Sequence, residues 1–167
     1  MQAETEYRAA LALEPDFTPA YVNLADLYRT YSRENDAEAT LSAGLQKVPG
    51  NADLSHALGL VRVRQRRIAD ALPLLAQAAH ADRNNPRYAY VYGVGLHDSG
   101  QSKQGVAVLE QALQRFPNNP DLLSTLGGYA RDSGDMKRAE AYAKRLAEMA
   151  PPAAAQEQSP ADRPKVR

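Results

Sequence analysis

Residue types that commonly act in catalysis or metal binding are scattered through this chain. The dipeptide His97–Asp98 joins two metal-ligating types, but no second such pair accompanies it. His56 and His97 fall on one face of their predicted helices, yet seven residues of helical offset separate them by roughly 10 Å, too far to share one ion. Gly93-x-Gly95 falls inside a predicted helix and is not a phosphate-binding loop. We therefore predict no catalytic residue, no metal site and no cofactor, and a protein that is not an enzyme.

The absence of cysteine excludes several further classes of site. Without Cys there is no disulfide, no thiolate metal site and no covalent haem attachment within this chain. The 20 basic and 20 acidic side chains give a net charge of zero, so no overall field favours nucleic acid. We predict no nucleic-acid partner.

One dense charge cluster stands out, the run Val61-Arg62-Val63-Arg64-Gln65-Arg66-Arg67. It would suit contact with an anion or a nucleic acid, but it lacks the interleaved aromatic residues on which bases stack. The alternative interpretation is a solvated turn, with Arg64 on an inner face and the stem of Arg62 lying along apolar surface. The balanced net charge favours this second interpretation.

The ends and the apolar runs bear on the compartment. The first ten residues, MQAETEYRAA, are acidic and polar, unlike a signal peptide. No apolar run approaches the roughly 18 residues that a membrane-spanning helix needs. We expect no membrane insertion and a cytoplasmic location for the chain as written, or a periplasmic one if it is a fragment of a larger exported protein.

A period of 34 residues organises the chain. Large residues followed by small ones recur at Leu24–Ala25, Leu58–Gly59, Tyr92–Gly93 and Leu126–Gly127. Small residues recur at Ala3, Ala37, Ala71, Gly105 and Ala139, where two helices must cross closely. Prolines recur at Pro15, Pro49, Pro117 and Pro151, with Arg83 as the one exception. A period of this length predicts an all-α fold, an α-solenoid of antiparallel helix–turn–helix repeats.

The best-formed unit allows a family to be recognised. Tyr21-x2-Leu24-Ala25-x2-Tyr28, followed by Ala37-x3-Leu41-x2-Gly44 and Pro49, resembles the tetratricopeptide repeat (TPR). The large first residue of this pattern is Tyr21 here, and its equivalents are Ser55, Ala89 and Leu123. The resemblance implies a right-handed superhelix that acts as a scaffold for protein–protein interaction, with a concave groove as its binding surface.

The period also sets the expected boundaries. We predict a repeat array over residues 1–151, with a half repeat at 2–17 and full repeats at 18–51, 52–85, 86–119 and 120–151. Residues 152–167 are rich in Ala, Pro and charge and are predicted to be a disordered tail or linker. Pro73 is expected in the first turn of its helix, with Asp70 as the N-cap.

The first helix of each repeat has a stripe opposite its packing face. In stacked pairs of this family that stripe lines the concave surface, so we expect the partner to bind there. Its candidate residues are Val22, Asp26, Arg29, His56, Leu60, Val63, Arg64, Arg87, Tyr90, Val94, His97, Ser124 and Arg131. The stripe has few lysines, and only Asn23 fits the pattern by which some relatives grip a C-terminal carboxylate, so we predict no carboxylate clamp.

Three functions stay open from the sequence. The first is a scaffold that binds a partner peptide or helix in the groove. The second is a homo-oligomer that self-associates through uncapped end helices at residues 2–13 and 137–149. The third is the C-terminal docking domain of a larger bacterial envelope protein, because residues 20–29 and 87–100 resemble repeats that follow multihaem cytochrome domains.

Overall fold

The computed structural model describes residues 2–149, so the predicted tail at 152–167 lies outside the described residues. Within them the chain forms nine α-helices and no strand, which confirms the all-α helical-repeat fold. The helices are α1 (Gln2–Leu13), α2 (Thr18–Thr30), α3 (Glu34–Lys47), α4 (Ala52–Arg64), α5 (Ile68–Ala81), α6 (Pro86–Asp98), α7 (Ser102–Arg115), α8 (Pro120–Asp132) and α9 (Met136–Met149).

These helices form two compact bodies, one ending at Phe116 and one starting at Pro117. In the N-terminal body (residues 2–116) each helix packs against the next, and α2 also contacts α4. One part of its core is a cluster of buried side chains from α2, α3 and α4, against which Tyr7 and Leu11 of α1 pack. The cluster includes Tyr21, Leu24, Tyr28, Leu41, Leu54, Leu58 and Val61. Each such side chain contributes roughly 1.5–3 kcal/mol by leaving water.

The C-terminal body (residues 117–149) is a single antiparallel pair, α8 on α9. The buried residues Leu122, Leu123 and Leu126 lie on α8. On α9 only Ala139 is buried, at the position of the recurring small residue.

Small residues hold the helices of one repeat close together. A Cβ added to Gly59 would lie 2.7 Å from Cδ2 of Leu75, and one added to Gly93 would lie equally close to Cδ2 of Leu109. The period-34 pairing of a large residue with a small one is therefore a packing requirement, since a side chain at either glycine would push α5 or α7 outward.

The turns within the repeats share one geometry. Ser32, Arg66, Gly100 and Gly134 occupy the same place in successive repeats, and all four have positive φ, between 57° and 87°. The following N–H bonds back to the last turn of the preceding helix, as Arg67 does to Arg62 at 2.9 Å. This left-handed residue satisfies helix-end carbonyls. Two repeats use a non-glycine residue there, at some cost in backbone energy.

Three repeats begin with the same N-cap. The side-chain oxygens of Asn51, Asn85 and Asn119 accept hydrogen bonds from the main-chain N–H of Leu54, Arg87 and Leu122, respectively. Each cap satisfies one of the unpaired N–H groups at a helix start. Phe17 stands at the equivalent place before α2 and provides no side-chain cap.

The prediction for Pro73 was wrong. Helix α5 begins at Ile68 with Arg67 at its N-cap, so Pro73 is the sixth helical residue and lies beyond the first turn. Pro73 and Ala69 are both exposed. Water therefore reaches the Ala69 carbonyl that has no N–H donor at Pro73.

Candidate functional site

The first helices of the repeats in the N-terminal body carry most of the predicted stripe. Its apolar members are all half-buried: Val22 on α2, Leu60 and Val63 on α4, and Tyr90 and Val94 on α6. On α4, Leu60 lies one turn from His56 and one turn from Arg64. The apolar centre of the stripe is thus bordered by polar residues at both ends of the helix.

A polar cluster lies at the C-terminal ends of α2 and α4. Asp26 and Arg29 form an ion pair, and Arg64 Nε lies 3.5 Å from Glu34 Oε1. With Thr30, these four residues line an open cavity of about 390 Å³. Burial lowers the pKa of Arg64, and the nearby charge of Arg29 lowers it further. The structure therefore brings together the predicted Asp26, Arg29 and Arg64, and adds Glu34, which the stripe pattern did not include.

A second cluster joins the N-terminal ends of α4 and α6. The Tyr88 hydroxyl donates a hydrogen bond to the carboxylate of Asp53, and its ring lies tilted on His56 with the centroids 4.7 Å apart. Burial, followed by the hydrogen bond to Asp53, raises the pKa of Tyr88 to about 12. The pair Asp53–Tyr88 links repeat 52–85 to repeat 86–119. No recurring residue type at these two positions predicts this link.

His56 is covered in this cluster. Only 8% of the residue is exposed, and neither ring nitrogen has a hydrogen-bond partner within the described residues. Burial lowers the pKa of His56 to about 4, helped by the positive charge of Arg87 and opposed by Asp53. The imidazole is thus neutral at pH 7 and packs as a core side chain. Of the predicted stripe on α4, Leu60, Val63 and Arg64 remain accessible.

Arginines of the run at residues 61–67 pair with acids of the preceding repeat. Glu38 on α3 accepts hydrogen bonds from Arg62 at 3.3 Å, from Gln65 at 3.0 Å and from Arg67 at 3.0 Å. Arg67 also pairs with Asp70 at 2.9 Å. These contacts account for Arg62 and Arg67, so this part of the run connects repeat 52–85 to repeat 18–51.

The same connection occurs one repeat earlier. Glu4 on α1 accepts a hydrogen bond from the Tyr28 hydroxyl at 2.8 Å and pairs with Arg33 at 3.3 Å. Arg33 in turn pairs with Asp36 at 2.7 Å. Glu4 and Glu38 are 34 residues apart, as are Arg33 and Arg67. The 34-residue period therefore includes this acid–base link. It was not predicted from the sequence, because the repeat was recognised from its apolar and small residues and these positions are polar.

The remaining predicted residues lie on α6 and α8. Arg87 is exposed on the first turn of α6, and His97 lies on its last turn with Nδ1 3.7 Å from Asp98. In the C-terminal body, Ser124 and Arg131 are exposed on α8. Within residues 2–149, no three His, Cys, Asp or Glu side chains are grouped as a metal site would need. None of the described helices is both long and apolar enough to cross a membrane.

These features define the class of protein. The described residues form antiparallel helix pairs repeated at 34 residues, with a stripe of accessible side chains on the first helices. The tetratricopeptide-repeat profile matches residues 32–93 and 96–158, and the chain belongs to the tetratricopeptide-repeat family. Proteins of this fold are typically scaffolds for protein–protein interaction.

Solved structures share the fold. MamA is 18% identical, with 87% of this chain and 85% of that chain covered and a TM-score of 0.75. YrrB, described as a TPR protein with an unusual peptide-binding site, is 20% identical over 92% of this chain and 79% of that chain, with a TM-score of 0.72. PilF of Pseudomonas aeruginosa is 21% identical over 90% and 68%, with a TM-score of 0.78.

Proposed function

We propose that the stripe on α2, α4 and α6 is a groove that binds a short apolar segment of a partner protein. The observation that carries this proposal is the accessibility of four large apolar side chains, Leu60, Val63, Tyr90 and Val94, on the first helices of neighbouring repeats. Apolar side chains that are only half-buried on adjacent helices gain free energy when a partner covers them.

The polar cluster at the C-terminal ends of α2 and α4 indicates which kind of peptide segment the groove would bind. Arg29 and Arg64 are each paired with an acid, at Asp26 and Glu34, so this end of the groove carries no surplus positive charge. A free C-terminal carboxylate would have to compete with both acids. The groove therefore suits an internal segment whose apolar side chains enter the centre and whose polar groups meet the ion pairs at the rim. YrrB, which shares the fold, supports a peptide ligand by analogy only.

Selection from a random peptide library tests the proposal. Peptides that bind the wild type would be measured against Val63→Asp and Val94→Asp, which place a charge in the apolar centre. We expect each change to weaken binding by about tenfold or more, because a carboxylate would be desolvated there. Ala39→Asp, on the exposed face of α3, is the matched control. If both groove variants bound the selected peptides as tightly as the wild type, the proposal would be wrong.

Self-association is a second candidate, supported by exposed apolar residues near α1. Leu13 is 84% exposed at the end of α1, and Phe17 is 43% exposed just after it. In the C-terminal body, Met136 and Met149 of α9 are also exposed. Such side chains favour contact with a second copy of the chain.

Sedimentation over a hundredfold range of concentration separates the two candidates. Self-association predicts a mass that rises with concentration in the wild type and stays monomeric in Leu13→Glu. A monomer at every concentration would remove this candidate and leave the groove proposal untouched.

A further inference from the structure

Two departures from the repeat pattern meet in one cavity. Ala89 stands where the first residue of the pattern is Tyr21 or Leu123 in other repeats, and Arg83 stands where the others have proline. Both residues line a cavity of about 100 Å³ in the N-terminal body, bounded by the end of α5, by α6 and by α7. We call it the Ala89 cavity.

Comparison with the first repeat explains why a cavity forms beside Ala89. There the ring of Tyr21 packs beside Gly44, and its hydroxyl donates a hydrogen bond to the carbonyl of Pro15 at 2.9 Å. Pro15 is the equivalent of Arg83. A tyrosine at position 89 would therefore extend toward Arg83, through the volume that the methyl group of Ala89 leaves open.

The second repeat makes a polar contact at the equivalent position. Ser55, the equivalent of Ala89, is fully buried and hydrogen-bonds to the side chain of Gln77 at 3.1 Å. Gln111 is the equivalent of Gln77; it is exposed and lines the Ala89 cavity. Alanine at position 89 has no hydroxyl with which to bond Gln111.

The lining has the chemistry of an anion site. His80, Arg83 and Arg115 supply cationic or N–H donor groups, Gln111 supplies an amide and Tyr92 a hydroxyl, over a floor of Ala79, Ala89 and Val108. No Asp or Glu lines the cavity, and neither arginine forms an ion pair within the described residues. The ends of α5 and α7 contribute only partial negative charge, about half an elementary charge each, against two full positive charges.

We infer that the Ala89 cavity binds a phosphate group. Two guanidinium groups match the double charge of a phosphate better than the single charge of a carboxylate, and they bind its oxygens as paired donors. At roughly 10–15 Å³ for each water, the cavity has room for several waters or for one small oxyanion in their place. The cavity is separate from the proposed groove, since Ala89 and Tyr92 face another side of α6 than Tyr90 and Val94.

Calorimetric titration with inorganic phosphate at constant ionic strength tests the inference. We expect saturable binding to the wild type and binding weaker by about tenfold or more in Arg83→Gln and Arg115→Gln, since each loses a charged donor. Ala89→Leu fills the cavity with the residue that stands at position 123, so it should abolish binding while circular dichroism shows the fold retained. Arg131→Gln, an exposed arginine of the C-terminal body, is the control and should bind as the wild type does.

Two further titrants identify the source of the phosphate. Phosphoserine that binds as tightly as inorganic phosphate indicates a phosphorylated side chain, and binding of inorganic phosphate alone indicates the free ion; both results support the site. Acetate that binds as tightly as phosphate would overturn the inference. So would an absence of binding, or phosphate binding that Arg83→Gln, Arg115→Gln and Ala89→Leu all leave unchanged.

Discussion

The carboxylate of Glu38 lies 3.0 Å from the guanidinium of Arg67, which belongs to the next repeat. Only about a fifth of the Glu38 side chain is exposed, and Arg62 and Gln65 contact the same carboxylate. Repeat proteins are stabilised at the interfaces between neighbours as well as within each unit. This ion pair therefore contributes to the interface at which repeat 52–85 packs on repeat 18–51.

Replacing Glu38 by Gln tests that contribution. The change removes the negative charge that Arg62 and Arg67 both contact. We therefore expect the free energy of unfolding at pH 7 to fall by about 1–2 kcal/mol. Burial alone would raise the pKa of Glu38, but hydrogen bonds from Gln65 and Arg67 outweigh it, and the pKa lies below its usual value. The stabilisation is therefore present above the unfolded-state pKa and is lost as the pH falls through the folded-state pKa.

Urea unfolding at pH 7 and at pH 3 measures this effect. The difference between wild type and Glu38→Gln should be larger at pH 7 than at pH 3. Glu140→Gln is the matched control, because Glu140 holds the equivalent position on α9 and is exposed, with no ion pair within the described residues. Equal losses in both variants would contradict the assigned role of Glu38.

Gly105→Ala should destabilise the protein although the equivalent residues in other repeats are alanines. A Cβ at Gly105 would lie 2.5 Å from the Gly93 carbonyl oxygen and 2.9 Å from the His97 nitrogen, and both atoms are main chain. We expect a loss of roughly 1–3 kcal/mol from overpacking, in spite of the better helix propensity of alanine. At Gly128, where an added Cβ meets no atom within 4 Å, the same change should stabilise by about 0.5–1 kcal/mol. Thermal unfolding should show a lower melting temperature for Gly105→Ala and a higher one for Gly128→Ala. A higher melting temperature for Gly105→Ala would show that α6 and α7 do not need their close approach.

Arg66→Gly should stabilise the turn between α4 and α5. Arg66 has a φ of 61°, a left-handed conformation that costs an L-residue roughly 1–2 kcal/mol and costs glycine little. The gain should be about 1 kcal/mol, seen as a higher urea midpoint. Gly100→Arg is the reciprocal change at the equivalent turn, where φ is 87°, and should lose a similar amount. No change in either variant would mean that these turns relax without strain.

His56→Phe should reduce the loss of stability in weak acid. The pKa of His56 is lowered from 6.5 to about 4 in the folded state, so below pH 6.5 the unfolded chain takes up a proton that the folded chain resists. The stability held at pH 7 is lost as the pH falls toward 4, by up to roughly 2–3 kcal/mol for a shift of this size. Phenylalanine keeps the ring beside Tyr88 and removes the titration.

Unfolding midpoints between pH 7 and pH 4 show the difference. The wild type should lose stability over this range by more than His56→Phe does. Parallel curves for the two proteins would argue that His56 is charged, or reached by water, in the folded state.

The recurring apolar and small residues were enough to predict the helix pairs and the family. Ala37, Gly59 and Gly93 had to be small because a neighbouring helix lies against each, and this requirement repeats with the fold. Two features escaped prediction for the same reason. His56 is covered by the ring of Tyr88 from the next repeat. Arg62 and Arg67 of the arginine run are paired with Glu38 from the previous repeat. Both are contacts between side chains of different repeats, which a pattern within one repeat does not contain.

The Glu4 and Glu38 contacts also give the repeats an order. In the first two junctions a carboxylate faces Tyr28 or Arg62, whereas the equivalent positions in the third are Leu72 and Leu96, and Leu72 reaches α6 beside Gly95. A rearranged chain in which repeat 86–119 directly follows repeat 18–51 would set the carboxylate of Glu38 against Leu96 and would put the neutral Gln101 in the place of Arg67. The junction that follows repeat 18–51 therefore fits repeat 52–85 and does not fit repeat 86–119.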